Sequence, residues 1–236
     1  MTTMQTFDEQ PLDPVMRAER DIEARLSELH EGAGLQRPIT PGPVFVLLAR
    51  AVGEPDFDVT PEVGACEAAA KKLCAARPGG YYIDERVRQS TPRTFGSLYP
   101  NPTITEDRFA YVHVSGEGML ELVSGEIADT STGLVVGLVL IKKWIKDRDA
   151  KAMRAAFEAL ETDGPIVVAV ALLRTQGVEV RSRGTVPAGG GVLQVPYVTI
   201  KPRCFADRSQ VNAKGLNPMV DDLWTAIVQQ ASSTRA

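Results

Sequence analysis

The sequence predicts an α/β protein of the α+β type, in which a mixed or antiparallel sheet with hairpins is flanked by helices. Two observations predict it. Strand-length apolar runs and alternating segments recur along the chain, and they are separated by segments whose apolar residues repeat every three or four positions. The 236 residues are 44% hydrophobic, enough to bury a substantial core. We expect a long central helix and a C-terminal helix among the flanking helices.

The first predicted element is a helix over "DPVMRAERDIEARLSELHEG". Asp13 is suited to cap it, Pro14 fits its first turn and Gly32 ends it. We expect this helix to be exposed, with His30 near its end. Residues 1–40 are assigned to the helix and a linker, and residues 41–236 to a single α/β domain. A division of that domain into two subdomains near 91–106 is the alternative.

The segment "VFVLLARAV" predicts a strand that is buried on both faces, because its apolar run is continuous. A second helix, "PEVGACEAAAKKLCAA", is opened by Thr60 and Pro61 and closed by residues 78–80. Cys66 and Cys74 lie on its apolar side, and we interpret both as small core residues.

The middle of the chain predicts a hairpin. "YYIDERVRQ" favours a short strand, and the proline-containing "STPRTFGSLYPNPTITED" favours a long loop. The segments "RFAYVHVS" and "GMLELVSGEI" then form two strands joined by a glycine turn. Phe109, Tyr111 and His113 share one face of the first strand. We interpret His113 as a cross-strand packing or surface residue and not as a base or a metal ligand.

The second half of the chain predicts further helices and strands. "GLVVGLVLIKKWIKDRDAKAMRAAFEALE" favours one long helix, or two helices joined near residues 147–149. The strands are predicted over "GPIVVAVALLR", "VEVRSRG" and "VLQVPYVTI". The final helix, "NPMVDDLWTAIVQQA", has Asn217 as its expected cap and Pro218 in its first turn.

The stretch "GTVPAGGGVLQ", residues 184–194, has the glycine spacing of a phosphate-binding loop. Gly190 and Gly191, however, occupy the positions where such a loop carries its lysine and hydroxyl, and a strand-like segment follows where a helix is needed. We therefore interpret the stretch as a connection between strands.

Basic residues on the late strands are the candidate contacts for an anion or a nucleic acid. Arg181 and Arg183 alternate on one strand face, and Lys201 and Arg203 follow on the next segment. The basic cluster on the central helix is interleaved with acidic residues, which favours a solvated surface. A net charge of -4 argues against general coating of nucleic acid or membrane.

The sequence predicts no catalytic set, no metal site and no cofactor. Its three cysteines are odd in number and have no C-x-x-C spacing, which favours a reducing cytoplasm over a disulfide framework. The polar N-terminal segment predicts no signal peptide, and the apolar runs are too short to span a bilayer. We expect a cytoplasmic protein with no membrane partner.

One family resemblance concerns residues 107–227 and, more weakly, the stretch from residue 43. The sequence contains, in this order, a strand with glycine and glutamate, a Gly-Pro before an apolar strand, a glycine turn, a Leu-x-x-Pro strand and a final Asp-Leu-Trp helix. This order resembles the C-terminal accessory region of bacterial proteins with a Schlafen/Alba-type putative DNA-binding domain. The matching residues are Gly118, Glu121, Gly164, Pro165, Gly177, Leu193, Pro196, Asp222, Leu223 and Trp224. The pattern of the Alba-type domain itself does not occur in this sequence, so its DNA-binding and nuclease roles are not implied.

The resemblance and the residues together lead to one functional hypothesis with two alternatives. The leading hypothesis is a non-catalytic module that binds a small ligand or a protein partner. The first alternative is a nucleic-acid-binding protein that uses Arg181, Arg183, Lys201 and Arg203. The second is a hydrolase whose carboxylates converge only in the folded chain.

Overall fold

The computed structural model describes residues 13–31, 42–53, 62–80, 83, 88–91, 94–99, 110–125, 142–180 and 191–232. The fold is mixed α/β, as predicted. The strands are β1 (Val44–Ala51), β2 (Arg88–Thr91), β3 (Thr94–Tyr99), β4 (Ala110–Ser115), β5 (Leu120–Ser124), β6 (Ile166–Leu173), β7 (Glu179–Val180), β8 (Gly191–Val192), β9 (Tyr197–Thr199) and β10 (Arg203–Phe205). The α-helices are α1 (Pro14–Glu31), α2 (Val63–Leu73), α3 (Ala150–Ala159) and α4 (Ala213–Ser232).

Eight strands form one sheet in the order β10-β6-β1-β5-β4-β3-β2, and β9 also pairs with β6. The described pairings of this sheet are all antiparallel. β9 and β10 lie one after the other along the same side of β6, because β9 pairs with residues 171–173 and β10 with residues 166–168. β7 and β8 form a separate two-stranded ribbon.

The sheet is covered on both faces, and alternation along its strands divides the core into two apolar clusters. On one face, Leu47 of β1 and Val168 of β6 pack with α2, α3 and α4. On the other face, Leu48 and Val167 pack with Ile22 and its neighbours on α1. The prediction that the first strand is buried on both faces is confirmed for residues 44–49. We call the two sides the three-helix face and the α1 face.

The α1 helix follows its prediction in its start but not in its exposure. Asp13 caps it, since its Oδ1 accepts a hydrogen bond from the backbone N–H of Val15 at 2.8 Å. The helix is not a free, exposed element, because Ala18, Ile22 and Leu29 are buried against β1 and β6. A periodic apolar stripe predicts that a helix is amphipathic, and here the stripe is covered by the sheet.

Three local predictions are wrong. The predicted strand over residues 192–200 is divided, because Val192 belongs to β8 and residues 197–199 form β9 in the other sheet. The predicted long loop contains β3, which pairs with β4 over residues 94–99 and with β2 over residues 94–97. The C-terminal helix begins at Ala213, four residues before the predicted cap, so Pro218 lies inside the helix and not in its first turn. Asn212 caps it instead, because its Oδ1 accepts hydrogen bonds from the backbone N–H groups of Lys214 at 2.9 Å and Gly215 at 3.2 Å.

Other predictions hold where the structure describes the chain. The predicted hairpin consists of β4 and β5. The second predicted helix, which carries the cysteines, is α2. Cys66 is buried within it, and Cys74, the residue just after it, is buried as well. The predicted central helix is described from residue 142 onward, where a π-helical turn, Ile145–Asp149, leads into α3. Its earlier residues, 133–141, lie outside the described residues. No helix in the described ranges is long and apolar enough to cross a membrane.

Candidate functional site

The α1 face carries a buried polar cluster that is centred on Glu121. Because β5 alternates, Glu121 points to the same face as Val123, toward α1. Its side chain is only 1% exposed. Arg25 of α1 and Tyr111 and His113 of β4 surround the carboxylate. We call these four residues the Glu121 network.

Arg25 holds the carboxylate with two hydrogen bonds. Its Nε donates to Oε2 of Glu121 at 2.8 Å, and its Nη2 donates to Oε1 at 3.2 Å. Such a two-point contact is the strongest geometry that a guanidinium and a carboxylate can form. Nη1 of Arg25 also donates to Glu28 at 2.9 Å, one turn further along α1. The guanidinium is therefore engaged on both of its edges.

Tyr111 and His113 complete the network from β4. The hydroxyl of Tyr111, which is fully buried, donates a hydrogen bond to Oε1 of Glu121. His113 lies directly opposite Glu121 in the hairpin register, and its Nδ1 is 3.7 Å from Oε2. That distance is an electrostatic contact and is longer than a hydrogen bond. The carboxylate therefore faces a cation, a hydroxyl and an imidazole in one place.

The network alters the acidity of its members. Burial by itself would raise the pKa of Glu121, but the facing His113 and the Arg25 guanidinium lower it to about 2. Burial and the negative charge of Glu121 raise the pKa of Tyr111 well above its ordinary value. Glu121 is therefore an ionised acceptor at neutral pH, and Tyr111 keeps the proton that it donates.

The imidazole of His113 has one nitrogen that is without a partner within the network. Nε2 of His113 is buried and finds no hydrogen-bond partner in the described part of the chain. The residue as a whole is 4% exposed. A buried nitrogen that is left unpaired costs about 1–3 kcal/mol, so an atom of this kind calls for an explanation.

A second buried carboxylate lies on the three-helix face. Oδ1 of Asp149, the last residue of the π-helical turn, accepts a hydrogen bond from the backbone N–H of Arg77 at 2.7 Å. Burial raises the pKa of Asp149 to about 6, and the hydrogen bond and charge of Arg77 only partly oppose the increase. The sheet separates Asp149 from Glu121, so these two carboxylates do not form a pair.

The candidate anion contacts from the sequence are only partly described. Arg181 and Arg183 lie outside the described residues. Lys201 is exposed in the segment between β9 and β10. Arg203, the first residue of β10, forms an ion pair with Asp222 of α4, so its charge is compensated within the protein. The pairing reduces the charge that Arg203 offers to an outside anion.

The glycine-rich stretch is described from Gly191 onward. Gly191 and Val192 form β8, so the residues that follow the glycines enter a strand and not a helix. A Cβ on Gly191 would lie 1.8 Å from the carbonyl oxygen of Ala231 near the end of α4. A side chain is excluded there by contact with a helix backbone, which accounts for this glycine without a phosphate.

Sequence reasoning placed His113 and Tyr111 on one strand face but missed the network. Glu121 appeared only as a member of a family pattern, and Arg25 appeared only in a helix that was expected to be exposed. Their contact spans 96 positions of the chain. An acidic residue on the inward side of an otherwise apolar strand, "LELVS", is the one local sign of a buried charge.

Within the described residues, no group of three or more His, Cys, Asp or Glu side chains is arranged to hold a metal ion. Comparison of the chain with protein-family models, with curated proteins and with solved structures gives no match. The resemblance to the accessory region of Schlafen/Alba-type proteins therefore stays a prediction.

Proposed function

We propose that this protein is a non-catalytic binding module and that His113 is where a small ligand binds. The observation that carries the proposal is the buried Nε2 of His113, which has no hydrogen-bond partner among the described residues. Within the Glu121 network the other side chains are paired. His30 Nδ1, Ser124 Oγ and Asn217 Oδ1, which are also buried without a hydrogen-bond partner among the described residues, lie outside this network. A ligand that pairs with Nε2 of His113 removes the cost of leaving it buried and unpaired.

The state of Glu121 favours binding over hydrolysis. Both of its oxygens already accept hydrogen bonds from Arg25, and Oε1 accepts one from Tyr111 as well. A carboxylate whose pKa is about 2 is a weak base at neutral pH and a poor source of protons. The role that remains for Glu121 is to orient the imidazole of His113.

Neither alternative function has comparable support from the described residues. A two-carboxylate hydrolase needs acidic groups that converge, whereas Glu121 and Asp149 lie on opposite faces of the sheet. Nucleic-acid binding through the late strands would use Lys201 and Arg203, and Arg203 is already paired with Asp222. We therefore retain binding at His113 as the proposal.

The substitution His113→Leu tests the proposed function, because it replaces the imidazole by an apolar side chain of similar size. Small molecules released from the purified parent protein by denaturation should be lost from the variant, as measured by mass spectrometry.

The substitution His30→Leu is the matched control, because Nδ1 of His30 is likewise buried without a hydrogen-bond partner among the described residues but lies outside the Glu121 network, at the end of α1. It should leave the released molecules unchanged. Release of the same small molecules from folded His113→Leu would contradict the proposal, because their binding would then not depend on the imidazole.

A further inference from the structure

The central helix contains a π-helical turn just before α3. Residues 142–144 and α3 are α-helical, and Ile145–Asp149 form the π turn between them. The backbone N–H of Ala150 donates a hydrogen bond to the carbonyl oxygen of Ile145, five residues earlier, where an α-helix would use the carbonyl four residues earlier. The turn therefore holds one extra residue. A change to α-helical bonding would rotate the two parts of the helix relative to each other by about 100°.

Asp149 occupies an apolar position of this helix. It lies four residues after Ile145 and three and four residues before Ala152 and Met153, which are all buried on the three-helix face. Its carboxylate is buried as well, and it accepts the hydrogen bond from the backbone N–H of Arg77 at 2.7 Å. Arg77 precedes the short turn of residues 78–80 that follows α2. Asp149 therefore joins the π turn to the chain segment beyond α2.

Trp144 makes a second contact between the same two segments. A Cβ on Gly80 would lie 3.0 Å from Nε1 of the Trp144 indole and 3.3 Å from its Cε2, so the indole lies directly against the backbone of Gly80. Trp144 immediately precedes the π turn, and Asp149 ends it. The turn is therefore held against residues 77–80 from both of its ends.

Arg77 is the charged residue that acts on Asp149 among the described residues. Its N–H group and its charge lower the pKa of Asp149, but burial raises that pKa by more. The other charged residues of the turn and of the elements beside it are exposed or paired with each other: Lys71, Lys72, Lys146, Arg148 and Lys151 are exposed, and Lys142 pairs with Asp221 of α4. A neutral Asp149 is therefore well accommodated, whereas an ionised one is only partly compensated.

We infer that the π turn and Asp149 form a conformational switch that responds to pH. With Asp149 protonated the turn stays closed on residues 77–80, and ionisation of Asp149 releases the turn, so that Trp144 leaves Gly80. Burial raises the pKa of Asp149 to about 6, which favours the closed turn below pH 6 and the released turn above it. The π turn suits this role because the helix can also continue with α-helical bonding, which repositions the residues on its two sides.

The switch is independent of binding at His113, because the sheet separates the two places. Fluorine NMR of the full-length protein labelled with 5-fluorotryptophan measures it, since the chain contains two tryptophans. Trp144 reports on the turn, Trp224 of α4 is the internal reference, and Trp224→Phe assigns the two signals. In a titration from about pH 4 to about pH 8, the Trp144 signal should move with a midpoint near pH 6, and the Trp224 signal should move less.

The substitution Asp149→Asn should abolish this titration and hold the Trp144 signal at its low-pH position. The amide oxygen can still accept the hydrogen bond from Arg77, but the side chain cannot ionise. Asp149→Ser is a second variant that cannot ionise, and it should abolish the titration as well. Asp163→Asn is the matched control, since this side chain is 84% exposed just after α3, and it should leave the titration unchanged.

The outcomes decide whether the switch exists and whether Asp149 operates it. A Trp144 signal that stays in place over the same pH range would overturn the inference, and so would a titration that persists in either Asp149 variant. Equal movement of both tryptophan signals would overturn it as well, because the change would then involve the whole fold. Movement of the Trp144 signal that both Asp149 variants remove and Asp163→Asn retains supports the switch.

Discussion

The two faces of the sheet bury the same strands in different ways. On the three-helix face, β4 contributes Ala110, Val112 and Val114 to an apolar cluster that includes Phe157 of α3. On the α1 face, the same strand contributes Tyr111 and His113 to a network around an ionised carboxylate. One face is stabilised by the removal of apolar surface from water, and the other also depends on the pairing of buried charge.

This difference shows how much each face depends on individual partners. An apolar cluster loses stability in proportion to the volume that is removed, because each contact is small and nondirectional. A buried carboxylate depends on a few directed contacts, and the loss of one leaves a charge without compensation. We therefore expect substitutions on the α1 face to act through charge and pH, and those on the three-helix face to act mainly through packing.

The largest effect is expected for Arg25→Met, which keeps an apolar stem but removes the cation that holds Glu121. The buried carboxylate would lose its two-point contact, and breaking a buried ion pair from one side costs about 3–5 kcal/mol. Urea unfolding measures the change. Arg20→Met, at an exposed position of the same helix, should change stability by less than about 0.5 kcal/mol. Equal effects of the two substitutions would mean that the Glu121 contact behaves as a surface ion pair.

The two buried carboxylates should give opposite pH dependence. The folded-state pKa of Glu121 is lowered from 4.5 to about 2, so its contribution is present above pH 4.5 and is lost as the pH falls toward 2. The folded-state pKa of Asp149 is raised from 3.8 to about 6, so its contribution is present below pH 3.8 and is lost as the pH rises through 6.

The substitution Asp149→Asn isolates the second of these effects. The Asn oxygen can still accept the hydrogen bond from Arg77, but it cannot ionise. Above pH 6 the variant should be more stable than the parent protein by about 3 kcal/mol, and the difference should disappear below pH 3.8. Unfolding curves measured across this range provide the test. A constant difference at every pH would show that the substitution acts through packing and not through ionisation.

A smaller effect is expected from a steric change on the three-helix face. Gly191→Ala would place a Cβ 1.8 Å from the carbonyl oxygen of Ala231, so β8 and the end of α4 must separate. Overpacking of this kind costs about 1–3 kcal/mol. Gly64→Ala has open space around its Cβ and should instead stabilise α2 by up to about 1 kcal/mol. Thermal unfolding of the two variants should shift in opposite directions, and a shift of both in the same direction would contradict the close contact at Gly191.

Local pattern was sufficient for much of the fold. The continuous apolar run of residues 166–173 predicted the strand β6, and the alternation of apolar and polar residues in 110–115 predicted the strand β4. The alternation in β4 also placed Tyr111 and His113 on a common face. Local pattern failed where neighbours in space decide the outcome. β3 looks like a loop until β4 and β2 pair with it, and Pro218 looks like a helix start until Asn212 caps the helix earlier.

The amino-acid sequence by itself determined most of the segments that form helices and strands and which of their side chains share a face, because these depend on residues only a few positions apart. The tertiary structure alone decided that Arg25 meets Glu121, and that the imidazole beside this carboxylate keeps one nitrogen unpaired among the described residues. The physical reason is that pairing of buried charge depends on which elements are packed together, and residues 96 positions apart share no local periodicity.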